Sequence, residues 1–137
     1  MTRRVVVTGI GMITALGHNA PDNWDAMAVG RSGIAPITLF DPTGFDSRVA
    51  GEVKEFDPSK YMDRKEARRA DRVTQLAFVA ADEALAQSGY DPSVSNGEDF
   101  AIIIGTAIGG IATLTAEYDT LREKGPSRVS PFLMPMM

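Results

Sequence analysis

A single histidine, His18, and no cysteine among 137 residues narrow the nucleophilic chemistry open to this chain. A cysteine nucleophile, a thiolate zinc site and a disulfide framework are excluded, and any hydroxyl nucleophile has one imidazole to serve as its base. His18 follows a glycine-rich turn with no acid adjacent in sequence to orient it, which reads as a surface turn residue. The Asp and Glu residues show no metal-ligand spacing. Two glycine turns remain as candidates. The first, V-V-V-T-G-I-G-M-I-T-A-L-G at 5–17, has the outline of a dinucleotide-binding turn. After Gly9 and Gly11 the next glycine comes only at Gly17, and no acid ends a second strand to hold a ribose. Glycines that let backbone segments pack closely are the better reading. The second, G-T-A-I-G-G at 105–110, lacks the Lys-Ser/Thr ending of a phosphate loop. It follows an expected strand, where α/β folds place ligands, and Ile108 between glycines suits either core packing or a movable wall.

The densest charge lies elsewhere. Lys65, Arg68, Arg69 and Arg72 recur at i, i+3, i+4 and i+7, which puts four cations on one face of a helix. Residues 63–72 hold five basic and three acidic side chains, whereas the whole chain has a formal charge of −4. Cations in the first turns of a helix oppose its macrodipole. A solvated face is the usual reason for such a run; a docking patch for an acidic partner competes with it, favoured by the dipole mismatch. The acidic balance of the whole argues against a general nucleic-acid binder, whose affinity comes from Lys and Arg on phosphate.

The elements that must position these residues follow from the hydrophobic pattern. Val5 to Gly9 is a β-branched run bounded by glycine and predicts a strand buried on both faces. Its basic start outlines a secretory signal, but Thr8, Gly9, Gly11 and Thr14 break up the apolar stretch. Asn19 to Val29 predicts a short helix with Asn19 as N-cap, Pro21 and Asp22 in the first turn, Gly30 as stop, and Trp24, Met27 and Ala28 on one face. Residues 31–60 are irregular, with Arg48 to Val53 as an edge strand and helical character near Pro58. Asp63 and Glu66 form a D-x-x-E capping box, and the helical pattern runs from there to Ser88, with Gly89 as stop and Pro92 beyond. Leu76, Phe78 and Val79 predict a buried middle; Ala70, Ala77, Ala80, Ala81 and Ala84 allow close approach of a neighbour. Phe100 to Ile104 predicts a second interior strand, followed by a helix to about Lys124, and Ser130-Pro131 could open a last helix in apolar sequence. This order implies an α/β fold with parallel pairing. No run approaches the ~18 apolar residues of a membrane span, and the default location is the cytoplasm.

R-R-V-V-V-T-G-I-G-M-I-T-A-L-G at 3–17, S-G-I at 32–34, D-R-K-E-A-R-R-A-D-R at 63–72, I-G-T-A-I-G-G at 104–110 and S-P-F at 130–132 together resemble the amino-terminal part of the β-ketoacyl-[acyl carrier protein] synthases. The elongating condensing enzymes of type II fatty acid synthesis are the best match; relatives that build polyketides are not cleanly separated. The resemblance implies a thiolase-like fold of layered αβαβα architecture, incomplete in this chain, with residues 1–137 as part of the N-terminal domain. It implies that Lys65, Arg68, Arg69 and Arg128 receive the acidic acyl carrier protein. It further implies that Ile108 gates the acyl pocket and that Leu133 and Met134 line it across the interface of a homodimer. The implied activity of the full-length parent is decarboxylative Claisen condensation of an acyl group with malonyl carrier protein. The family's Cys and two His lie beyond residue 137, so this chain alone is expected to be inactive and to carry no catalytic residue. No metal or other cofactor is implied. A polyketide-type ketosynthase segment and a non-catalytic carrier-protein-binding fragment are the alternatives. A half-built sheet is expected to expose strand edges and apolar faces.

Overall fold

The computed structural model describes residues 3–91, 93, 94 and 96–137; the expected Pro92 stop lies outside them. The chain forms two compact units, one built from residues up to Asp57 together with Val79–Gly89, the other from Pro58–Phe78 and Tyr90–Met137.

In the first unit, helix α1 spans Ala20–Ala28 as its signals predict. Extended Asn19 accepts the Asp22 amide at 2.8 Å, and Gly30 stops the helix at φ +70°. The buried face differs from the apolar one. Trp24 and Met27 are exposed, while Asn23 and Ala26 are buried. Asn23 is accommodated because its amide donates to the Gly17 and Asn19 carbonyls at 2.9 and 2.7 Å and its oxygen accepts the Thr14 hydroxyl.

Strands β1 (Ile34–Pro36) and β2 (Val49–Gly51) pair antiparallel, Ala35 opposite Ala50; β2 lies within the edge strand expected at 48–53, and β1 falls in the stretch expected to be irregular. Just past β2, buried Glu52 accepts the Thr38 and Leu39 amides at 2.9 and 3.0 Å and the Thr38 hydroxyl at 2.6 Å, which fixes the irregular connection.

The remainder of this unit is the second half of helix α3 (Arg72–Ser88), which Gly89 ends at φ +66°. Gly9 and Gly11 lie so close to it that a Cβ on either would collide with the carbonyl of Ala84 or Ala80. The glycine pattern after the apolar run is thus a backbone-packing device, opposite the small residues of the helix. Glu83 seals the contact, accepting the Met12 and Ala20 amides, each at 2.8 Å.

The second unit starts with a 3-10 turn at Pro58–Lys60 and helix α2 (Arg64–Ala67), where Asp63 accepts the Lys65 and Glu66 amides. It also contains the first turns of α3, helix α4 (Ile111–Lys124), a 3-10 turn at Pro126–Arg128 and helix α5 (Leu133–Met136).

Three expectations are corrected. Neither Val5–Gly9 nor Phe100–Ile104 is a strand: among the described residues neither segment has a pairing partner. Val5 is 95% and Ile103 93% exposed, because a strand buried on both faces requires neighbours on both edges and both faces. The helix expected from 63 to 88 is two helices, interrupted at 68–71. Asp71 starts α3 by accepting the Val73 amide at 3.3 Å, and Gln75 donates to the Ala67 and Ala70 carbonyls at 2.8 and 3.0 Å, satisfying the groups that the break leaves over. In the middle of α3 only Val79 is buried, with Phe78 half exposed. Among the described residues no helix is long and apolar enough to cross a membrane.

Candidate functional site

Every residue that the resemblance assigns to docking or to the acyl pocket falls in the second unit. The basic residues do not share one helical face. Lys65 lies on α2, Arg68 caps its carboxyl end, Arg69 follows in the break, and Arg72 begins α3. The break eases the dipole conflict for two of the four: Arg68 and Arg69 follow the carbonyl end of α2, where cations are favoured, whereas Lys65 and Arg72 remain in the first turns of α2 and α3. Lys65, Arg68, Arg69 and Arg128 are all exposed, Arg128 at the end of the 3-10 turn after α4. Arg69 also lines an apolar groove of about 340 Å³ with Met62, Glu66, Ala70, Thr74 and Phe78.

The pocket residues lie on two segments. Ile108 stands 65% exposed in the turn before α4, where Gly109 takes φ +76° and its amide donates to Thr106 Oγ1 at 3.1 Å. Leu133 and Met134 occupy the single turn of α5, Leu133 half-buried and Met134 exposed. A four-residue helix does not hold itself. The segment leading into α5 is fixed where Glu117 on α4 accepts the Ser130 amide at 2.8 Å, and its end where the Met136 carbonyl accepts the Asp71 amide at 2.8 Å. Phe132, just before α5, lies beneath the Arg69 guanidinium, 4.7 Å from the ring centroid.

Asp71 and Phe132 were not singled out by sequence. Asp71 is 7% exposed. Burial pushes its carboxyl up, but hydrogen bonds from Thr113, Val73 and Arg72 outweigh burial and hold it below the ordinary carboxylate value. The only local signal was residue type: Asp is among the preferred N-cap residues, but inside a continuous helical pattern nothing marks this one as a helix start.

His18 is better anchored than a free surface turn. Its Nε2 donates to the Lys54 carbonyl at 2.8 Å, and its ring meets Phe56 edge-on. Among the described residues no three His, Asp or Glu side chains gather as metal ligands.

Solved structures define the class. A β-ketoacyl synthase from Burkholderia phymatum superposes with a TM-score of 0.77 at 28% identity, covering 99% of this chain and 34% of that one. The ishigamide ketosynthase/chain length factor superposes at 0.75 with 29% identity over 96% of this chain and 33% of that one. Both are thiolase-like ketosynthases, so the two units form part of that α/β fold. Residues 2–137 match the β-ketoacyl synthase N-terminal domain, and the chain belongs to the β-ketoacyl synthase family. The 3-oxoacyl-[acyl-carrier-protein] synthase 2 of Synechocystis sp. is 44% identical over 98% of this chain. The chain spans about a third of that relative's length, 32%.

Proposed function

We propose that this chain is the docking and pocket segment of a 3-oxoacyl-[acyl carrier protein] synthase acting in the cytoplasm. The observation that carries this is the 44% identity to the Synechocystis synthase, end to end across the segment. In the longer enzyme an acyl group passes from its carrier thioester to a cysteine. Malonyl carrier protein then loses CO₂, and the resulting carbanion attacks the acyl carbonyl, forming the carbon–carbon bond and releasing the cysteine thiolate. This chain has no Cys and contributes none of those atoms. Its part is to receive the acidic carrier on Lys65, Arg68, Arg69 and Arg128, and to shape the acyl site with Ile108, Leu133 and Met134. Exposure of Val5, Val7, Ile102 and Ile103 supports this reading, because segments of this apolar, β-branched composition are covered when they lie in a complete layered sheet. A homodimer completes the proposed assembly, with Leu133 and Met134 at the interface.

The test is to express the longer reading frame and supply acyl and malonyl carrier proteins. CO₂ release with a product two carbons longer is expected. Activity of the 137-residue chain alone, or none in the longer protein, would overturn the reading. A polyketide-type ketosynthase is the second reading, favoured by the superposition on the ishigamide ketosynthase/chain length factor. In that case the same assay yields unreduced chains extended more than once. A carrier complex without condensation would mark a non-catalytic binding protein.

A further inference from the structure

The N-cap of helix α4 is Gly110, a residue with no side chain to cap it. The cap arrives from a distant point in the sequence: Asp71 Oδ2 accepts the Thr113 amide at 2.8 Å across 42 residues. The other oxygen, Oδ1, accepts the Val73 amide at the start of α3, and the Asp71 amide donates to the Met136 carbonyl at the end of α5. One residue therefore joins the starts of two helices and the end of a third. Packing around it is tight, since a Cβ on Gly110 would stand 2.8 Å from Met137 Cα and 3.0 Å from Asp71 Cβ.

The segments that carry the pocket residues have only a few other anchors, among them Thr106 on Gly109 and Arg69 on Phe132. Ile108 is largely exposed, so its place depends on the backbone entering α4 two residues later. Leu133 and Met134 ride on a helix too short to stand alone, held before its start by Glu117 on Ser130 and Arg69 on Phe132, and at its last residue by the Asp71 amide on Met136. Resting on the condensing reading above, we propose that Asp71 is a positioning residue. It sets the spacing between the Ile108 turn and the Leu133–Met134 segment, and through that spacing the acyl-chain length that the enzyme prefers. Displacing pocket walls by a fraction of an ångström weighs differently on short and long chains, because each methylene in an apolar pocket is recognised separately.

The experiment compares Asp71→Asn with the unsubstituted longer synthase, measuring kcat and KM for carrier-bound acyl groups of short and long chain. The amide can serve only one of the two helix-start N–H groups as acceptor. The ratio of kcat/KM between short and long acyl groups is expected to move by about tenfold, with KM for malonyl carrier protein unchanged. Amide exchange at Thr113 is expected to speed up in the same variant. An equal loss at every chain length, or an unmoved ratio, overturns the positioning role. If Asp71→Asn does not fold, Asp71→Ser, whose shorter hydroxyl can still cap α3 and gives up the reach to Thr113, must shift the ratio in the same direction; no shift there is equally fatal. An unsubstituted synthase without condensing activity would defeat the functional reading itself, whereas an active enzyme with an unmoved ratio defeats only the role of Asp71.

Discussion

The guanidinium of Arg69 lies over the ring of Phe132, 4.7 Å from its centroid, so a residue of the basic cluster rests directly on the segment that carries Leu133 and Met134. A partly exposed cation over an aromatic face contributes about 0.5–1 kcal/mol. A double-mutant cycle of Arg69→Ala and Phe132→Leu, followed by urea denaturation, is expected to return a coupling of about that size. Strictly additive effects would mean that the stack is geometric only.

The docking reading predicts a charge effect that can be separated from this stack. Lys65 and Arg68 are exposed on and beside α2, and the Phe132 stack is made by Arg69. Reversing both to Glu is expected to weaken carrier-protein binding about tenfold or more at low ionic strength, and much less in concentrated salt. Titration calorimetry at two salt concentrations reads this, and equal affinities for variant and parent at low salt would remove these residues from the interface.

Gly110 offers a packing test. Its φ of −77° is open to any residue, so space alone forbids a side chain there. The methyl group of Gly110→Ala would press on Met137 Cα and on Asp71 Cβ and Cγ, at 2.8, 3.0 and 3.1 Å. Overpacking of this kind costs about 1–3 kcal/mol. Gly97, whose Cβ would meet open space, is the control, and Gly97→Ala is expected to cost far less in the same thermal melt.

Local signals in the sequence were legible wherever a short-range rule decides the outcome. Asn19, Asp63, Gly30 and Gly89 start and stop helices as their side chains and positive φ angles require. What escaped was decided at long range. Asp71 reads locally as one more charge in a basic run, and only the fold shows it reaching Thr113. A face shared by Lys65, Arg68, Arg69 and Arg72 requires one continuous helix, and the chain breaks between α2 and α3, with Asp71 capping the second. Val5–Gly9 and Phe100–Ile104 have strand composition, but pairing depends on neighbours that no single segment encodes. The docking and pocket residues came from family likeness; spacing alone left Ile108 between core and gate.

The Asp71 carboxyl gives the structure a defined acid sensitivity. Burial opposes its charge, yet the bonds from Thr113, Val73 and Arg72 prevail and lower its pKa below the ordinary 3.8. A carboxyl with a lowered folded-state pKa stabilises the fold fully above the unfolded value and loses that contribution as pH falls through the folded one. Asp71→Asn is therefore expected to cost about 1.5–3 kcal/mol at neutral pH, the size of hydrogen bonds to a charged group. The gap to the parent should narrow once pH falls below the unfolded value, about 4, and close as it passes through the lower folded one. Glu52, lowered by its bonds to Thr38, acts in the same direction, so the variant keeps part of the parent's acid lability. Urea midpoints for both proteins between neutral pH and about pH 3 measure the difference. A gap that stays constant across that range would show that the Asp71 side chain acts by shape and not by charge.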